Sequence, residues 1–269
     1  MLSIVLRGEW VIKLQLFFSL LIAGISCCAQ PERIDPVDIS SYRSGHDADN
    51  ALLKQYIRTV DSISHTNSQG NHFARIYTAS MSNIGNQLMD MDSGAQAFIK
   101  RFEISFIGYF LEAADEFEKK AELPPESIWN SYFSHPSAQP WQLTLIGVNA
   151  HINGDIWKGL VKNFSEPEIR QYKKNLLSFQ RSISKAFQPF FDDLLMQSSY
   201  LRFMNGFTKG SAKLYGEWLI YNWRLRQINL AILYYQDPKK FKKRMKQVDR
   251  KMHKIDKAIL SKGKPVRDD

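Results

Sequence analysis

Cysteine is nearly absent from this chain of 269 residues. The only two, Cys27 and Cys28, are adjacent and lie near the N-terminus. A disulfide framework or a cysteine-built zinc site needs cysteines spread along the chain. Both are therefore excluded for the body of the protein.

Strand signals are also scarce from Asp47 onward. No run of alternating β-branched residues is bounded by hairpin turns, and there are only 14 glycines. Apolar residues recur at helical spacing instead. Hydrophobic residues make up 44% of the chain. The sequence therefore predicts an all-α fold, a single multi-helix bundle of about seven or eight helices. The predicted helices cover 49–64, 71–89, a stretch opening at Ser93, 141–160, 166–196, 209–235 and a final helix after Asp237.

Several catalytic signatures are missing as well. The chain contains no G-x-S-x-G elbow, P-loop, H-E-x-x-H pair or dinucleotide-binding glycine fingerprint. These absences argue against a serine hydrolase, an NTPase and a Rossmann enzyme. The acidic stretch "MDMDSG" at 89–94 lacks the later glutamate of a calcium loop, so it is expected to cap the next helix.

Residues 1–29 have the composition of an export signal. Arg7 and Lys13 precede a 12-residue apolar run at 14–25. That run is shorter than the roughly 20 residues of a membrane-spanning helix, and it fits the apolar region of a signal peptide. Cleavage after Ala29 would release the mature chain, and an uncleaved anchor is the alternative.

Cys27 offers a second export route. The small residues Gly24 and Ser26 precede it, as in a bacterial lipoprotein signal, so lipidation of Cys27 stays open. In either case we expect an exported protein, in the periplasm or held at the membrane as a lipoprotein. Residues 30–46 contain two prolines and no periodicity, and they are expected to be a linker to the all-α domain at 47–236.

The net charge of +9 comes from the C-terminus, where residues 239–269 hold 13 Lys and Arg against four Asp. The apolar residues of this tail step by three and four, which predicts a basic amphipathic helix within 237–269. One interpretation is that its apolar stripe packs on the bundle. The other is that residues 238–262 bind an anionic membrane surface. Nucleic acid is not an expected partner for an exported protein.

The segment "GVNAHINGDIW" at 147–157 places polar residues at alternate positions of an apolar helix. If 141–160 is one α-helix, each residue advances about 100°. Asn149 and Asn153 then flank the apolar stripe on one side, together with Gln142. His151 and Asp155 flank it on the other side. Two glycines, Gly147 and Gly154, lie nearly opposite the stripe, where a neighbouring helix can approach closely.

The His151–Asp155 pair can serve three purposes. It can ligate a divalent metal, which is the one cofactor that the sequence suggests. It can form an acid–base dyad in which His151 is the base and Asp155 orients it. It can also be a hydrogen-bonded pair that ties two helices together. Arg224, on a later helix, is expected either to pair with Asp155 or to hold an anionic ligand.

A family resemblance covers roughly residues 50–235. "LTLIGVNAHINGDIWKGLV" resembles the signature of an uncharacterised bacterial family with N-A-H-I-N-x-D after a glycine, and "FEISFIGYFLEAADEF" is similar to that family's F-x-x-Y/F-x-x-A helix. "WRLRQINLAI" resembles its R-x-x-A-W-x-x-A helix, with Gln227 and Ile228 in place of the Ala-Trp pair. The resemblance implies an all-helical domain and a site at the signature, and it implies no reaction.

Two hypotheses follow. The first is an exported envelope protein with a polar pocket that binds a small ligand or a metal and acts as a hydrolase. His151 and Asp155 would then be catalytic, and Asn149, Asn153 and Arg224 would donate hydrogen bonds to the substrate. The second is a non-enzymatic envelope module that binds a membrane or a partner through the basic C-terminal helix.

Overall fold

The computed structural model describes residues 46–81, 84–186, 202 and 212–262. Its α-helices are α1 (His46–Ser64), α2 (Asn71–Met81), α3 (Ile84–Met89), α4 (Ser93–Lys120), α5 (Asn130–Phe133), α6 (Pro140–Ala150), α7 (Ile156–Asn163), α8 (Glu166–Ala186), α9 (Ala212–Gln236) and α10 (Pro238–Ser261). A π-helical turn, His151–Asp155, joins α6 to α7 without a break. The described residues therefore form nine separate helices and no strand, which confirms the all-α prediction with one helix more than expected. The export signal, Cys27 and nearly all of the linker lie outside the described residues.

Local sequence explains where the helices begin and end. The Asp92 side chain accepts a hydrogen bond from the Ala95 amide, so the acidic stretch does cap α4. Ser93, at which the helix was predicted to open, is its first residue. At the other end of α4, Ala121 adopts the left-handed conformation with φ 58°. The start of α10 follows the prediction, because Asp237 accepts a hydrogen bond from the Lys240 amide and Pro238 occupies the first turn.

The centre of the bundle is the continuous stretch formed by α6, the π turn and α7. Every residue from Trp141 to Ile156 is buried. This stretch contacts α2, α4, α9 and α10, so it is enclosed on all sides by other helices. Burial on this scale means that its polar residues must find partners inside the fold.

Two glycines let neighbours approach the central helix closely. A Cβ on Gly147 would lie 3.0 Å from the Phe73 ring of α2. A Cβ on Gly154 would overlap Ile128, which lies in the connection between α4 and α5. The predicted close approach is confirmed at both positions, with a loop residue as the neighbour of Gly154.

The apolar stripe of α10 packs against the bundle. Met252 and Ile259 are buried, whereas all ten Lys and Arg of this helix are exposed. Among the described residues, no helix is both long and apolar enough to cross a bilayer.

Candidate functional site

The π turn consists of the residues His-Ile-Asn-Gly-Asp at 151–155. A π-helix bonds each amide to a carbonyl five residues earlier, and single π turns within α-helices are frequent at functional sites. All five residues are buried, and both members of the predicted His151–Asp155 pair lie in this turn. The turn places them on the side of the central helix that faces α2 and α4.

The imidazole of His151 is enclosed by aromatic rings. The Phe106 ring stacks on it, with the ring centroids 3.4 Å apart and the planes inclined by 18°. The rings of Phe73 and Tyr77 meet it edge-on, at centroid distances of 5.0 and 5.3 Å. Only 4% of His151 is exposed, so the ring orientation is fixed by packing.

Asp155 orients this ring from the next turn. Its Oδ2 lies 3.4 Å from Nδ1 of His151 and accepts a hydrogen bond of 3.0 Å from the indole N–H of Trp129. An acceptor at this position favours the tautomer that carries its proton on Nδ1. Nε2 of His151 then has a free lone pair, and it has no hydrogen-bond partner among the described residues.

Both groups favour their neutral forms. Burial lowers the pKa of His151 well below its usual value, and the nearby charge of Arg224 lowers it further. Burial also raises the pKa of Asp155 well above its usual value, although Lys158 and the Trp129 hydrogen bond oppose that shift. The imidazole is therefore an unprotonated base at neutral pH.

A second buried polar group lies beside His151. The Tyr77 hydroxyl donates a hydrogen bond of 2.7 Å to Glu103, and the Gln180 amide donates one of 3.3 Å to the other carboxylate oxygen. The Arg224 guanidinium donates to the backbone carbonyl of Gln180 at 3.2 Å. Burial raises the pKa of Glu103 to about 7 and lowers that of Arg224 to about 10.

These side chains border one cavity, which we call the π-turn cavity. Its volume is about 30 Å³, enough for about two water molecules or a ligand of a few heavy atoms. Apolar walls from α2, α4 and α8 surround the polar groups, and the polar residues that line it are Tyr77, Ser80, Glu103, His151, Gln180 and Arg224. An apolar pocket with a few convergent polar groups and shifted pKa values is typical of a ligand or active site.

The two asparagines of the motif lie on the opposite side of the central helix. The Asn149 amide donates to the backbone carbonyl of Met252 at 3.2 Å and to the Asp256 carboxylate at 2.8 Å. The Asn153 side-chain amide donates a hydrogen bond of 2.9 Å to the side-chain oxygen of Asn149. The backbone carbonyl of Asn153 accepts one of 2.8 Å from the Gln227 side-chain amide. These bonds use both Asn149 amide hydrogens inside the fold, towards α9 and α10. The predicted role of the asparagines as donors to a substrate remains a prediction.

Gln142 completes this attachment of α10. Its amide donates to the carbonyls of Ile259 and Leu260, at 2.8 and 3.3 Å. The prediction that Gln142, Asn149 and Asn153 share one side of the helix therefore agrees with their positions. Burial raises the pKa of Asp256, the carboxylate beneath Asn149, to about 6.

The structure brings His151, Asp155 and Arg224 into one region, but the expected pair between Arg224 and Asp155 does not form. Among the described residues, Arg224 has no carboxylate within ion-pair distance, and its closest partner is the Gln180 carbonyl. Nor do three or more His, Cys, Asp or Glu side chains of these residues converge as metal ligands. The metal prediction therefore rests on His151 and Asp155 alone.

Sequence reasoning missed Glu103, Tyr77 and Gln180 as members of the site. Glu103 carried a usable signal, because it is a single carboxylate within the apolar run "FEISFIGYF". Tyr77 and Gln180 carried none, since a tyrosine or a glutamine at helical spacing is common on any packed face. Trp129, which donates a hydrogen bond to Asp155, was not among the predicted site residues either.

Comparison with known proteins identifies a family. A family model described as a family of unknown function (DUF5995) matches residues 28–262, a span that contains all ten α-helices and the π turn. No curated protein and no solved structure matches the chain.

Proposed function

The chain belongs to this family of unknown function, and since membership names no reaction, we propose a function from the buried site itself. We propose that the protein is an exported envelope protein that binds a small carbonyl compound in the π-turn cavity and hydrolyses it. One observation carries this proposal: His151 borders the π-turn cavity with an unpartnered Nε2, while Asp155 lies beside the other ring nitrogen.

The arrangement supplies the parts of an acid–base reaction. Nε2 of His151 takes a proton from a water molecule, whose oxygen attacks the carbonyl carbon. Oδ2 of Asp155 accepts the hydrogen bond from Nδ1–H and holds the ring in place while the imidazolium forms. The Arg224 guanidinium provides a donor for the oxygen on which negative charge develops. The imidazolium returns its proton to the leaving group.

A metal-based mechanism fits the same residues less well. Nδ1 of His151 and Oδ2 of Asp155 face each other directly at 3.4 Å, and the Trp129 N–H already bonds to Oδ2. A zinc site takes its ligands at about 2 Å and needs at least three from the protein. Elemental analysis of the purified chain beside His151→Ala separates the two mechanisms. A stoichiometric metal that is lost in the variant would favour the metal site.

Hydrolysis of methyl acetate, followed by the release of acetate, tests the proposed reaction. His151→Gln removes the base but keeps a side chain of similar size, and we expect kcat/KM to fall by about 10²-fold or more. His65→Gln is the matched control, because His65 is an exposed histidine directly after α1 and reports unspecific imidazole catalysis. Equal rates in His151→Gln and the parent chain, with unchanged circular dichroism, would refute the proposal.

A second function is favoured by the exposed cations of α10. We propose that residues 238–262 also bind an anionic membrane surface, because the apolar side of α10 packs on the bundle while its ten Lys and Arg are exposed. Each Lys or Arg near an anionic surface contributes about 1 kcal/mol. Binding through these charges is expected to weaken as salt rises.

Co-sedimentation with phosphatidylglycerol vesicles tests this second function. Lys242→Gln with Lys243→Gln should weaken binding by roughly 30-fold, since about 2 kcal/mol is lost. The matched control, Lys54→Gln with Arg58→Gln, removes two exposed cations from α1 and should have no such effect. Binding that is insensitive to salt, or equally weakened by both variants, would contradict it.

A further inference from the structure

A groove runs between α9 and α10, on the side of the bundle away from the π-turn cavity's aromatic walls. We call it the α9–α10 groove, and its volume is about 470 Å³. This size lies within the range of pockets for small organic ligands. It therefore offers far more room than the π-turn cavity.

Three cations line this groove: Arg226 from α9, and Arg244 and Lys251 from α10. None of the three forms an ion pair with a carboxylate among the described residues. Burial lowers the pKa of Lys251, and the charges of Arg226 and Arg244 lower it further. The three charges are thus close enough to repel one another, and an anion between them would relieve that repulsion.

The described carboxylates of α10 lie away from the groove. Asp256 bonds to Asn149 on the central helix. The carboxyl of Asp249 interacts with His253 and with Lys158 of α7. No Asp or Glu is among the residues that border the groove, so its charge is entirely positive within the described part of the chain.

The groove also has an apolar part of its lining. It consists of Trp223, Leu230 and Leu233 of α9 and Val248, Met252 and Ile255 of α10, beside the polar residues Asn153 and Gln227. Apolar lining beside three cations complements a molecule with an alkyl chain and an anionic end. Burial of the chain contributes about 0.8 kcal/mol per methylene group.

We propose that the α9–α10 groove binds a single-chain amphiphile with an anionic headgroup, of which a fatty-acid carboxylate is the representative. Arg226, Arg244 and Lys251 hold the headgroup. The alkyl chain lies over Leu230, Leu233 and Val248. This site is independent of the π-turn cavity and of the outward-facing lysines at the start of α10.

Titration of the full chain with decanoate, followed by calorimetry, tests the proposal. We expect saturable binding of one decanoate per chain. The uncharged alcohol of the same length, 1-decanol, should bind at least tenfold more weakly because it gives the three cations no negative charge. Equal affinity for the two compounds, or the absence of saturable decanoate binding, would overturn the proposal.

A charge-matched pair of variants locates the site. Arg226→Gln with Lys251→Gln should weaken decanoate binding at least tenfold. Lys254→Gln with Lys257→Gln removes the same charge from α10 outside the groove and should leave the affinity unchanged. All four residues are exposed, so these variants should keep the fold, which circular dichroism verifies. Equal weakening by both pairs would show unspecific attraction and refute the groove as the site.

Discussion

His151 is a histidine whose two ring nitrogens have different surroundings. Nδ1 faces Asp155, whereas Nε2 borders the π-turn cavity without a partner among the described residues. An unsatisfied buried nitrogen costs about 1–3 kcal/mol of stability. Such a cost is consistent with a group that meets a ligand or a water molecule in the working protein.

Glu103 makes stability depend on pH. Its pKa is raised from 4.5 to about 7 by burial, so the folded chain binds more protons than the unfolded chain between these values. The free energy of unfolding therefore falls as pH rises through this range, because Glu103 loses its proton in the buried site. Glu103→Gln keeps an acceptor for Tyr77 and removes the titration. Relative to the parent, the variant should gain up to about 3 kcal/mol between about pH 4.5 and pH 7.5.

Urea unfolding at the two pH values measures this difference. The titrations of His72 and Asp256, whose pKa values are shifted to about 4 and about 6, are common to both proteins and cancel in the comparison. A difference between parent and variant that does not change with pH would contradict the prediction.

Gly147 is a residue where added volume should destabilise the fold. A Cβ there lies 3.0 Å from two carbons of Phe73, whose ring contacts His151. Gly147→Ala should therefore cost about 1–3 kcal/mol of the free energy of unfolding. Gly85→Ala in α3 is the control, since a Cβ there meets nothing within 4 Å and should stabilise the helix by up to about 1 kcal/mol. Equal effects in chemical denaturation would refute this account of packing.

At the scale of the element, the π turn is the feature that periodicity did not predict. The sequence indicated one α-helix over 141–160, and the buried stripe and both polar sides were identified correctly. A π turn differs from an α-turn by a single extra residue, and its five residues here have no composition that distinguishes them. In this turn His151 packs against Phe106 and Asp155 bonds to Trp129, and both partners come from distant parts of the chain.

The buried Asn149 amide contributes to the attachment of α10, together with Gln142. Asn149 bonds to Met252 and Asp256, so Asn149→Ala leaves two acceptors of α10 without this donor. We expect a loss of about 2–4 kcal/mol and faster amide exchange in 252–260. Asn222→Ala is the control, because its amide bonds only to the Trp218 carbonyl of its own helix. Unchanged exchange in α10 would contradict the predicted role of Asn149.

At the scale of the whole molecule, the fold class and most helices followed from apolar spacing and capping residues. Asp237-Pro238 marked the start of α10, and the absence of strand signals indicated the bundle. The site followed only in part, because His151 and Asp155 are close in sequence whereas Glu103, Gln180 and Arg224 come from three other helices. Pairings between distant helices depend on which faces meet, and spacing within one helix does not encode that.

Removal of residues 237–269 tests whether α10 belongs to the bundle. Deletion would expose the side of α6 that carries Gln142 and Asn149, and it would leave both amides without their partners. We expect a loss of several kcal/mol and a Tm lower by roughly 10 °C or more in differential scanning calorimetry. An unchanged Tm would show that the tail is separable from the bundle.

The protonation state of His151 is the most direct test of the central claim. Nitrogen NMR of the histidine-labelled chain, with His151 assigned by its loss in His151→Gln, reports the charge and the tautomer of this ring. We predict a neutral ring with its proton on Nδ1 that does not titrate at 6.5, the usual pKa of histidine, because burial and Arg224 lower its pKa. A ring that titrates near pH 6.5, or that carries its proton on Nε2, would contradict the proposed base.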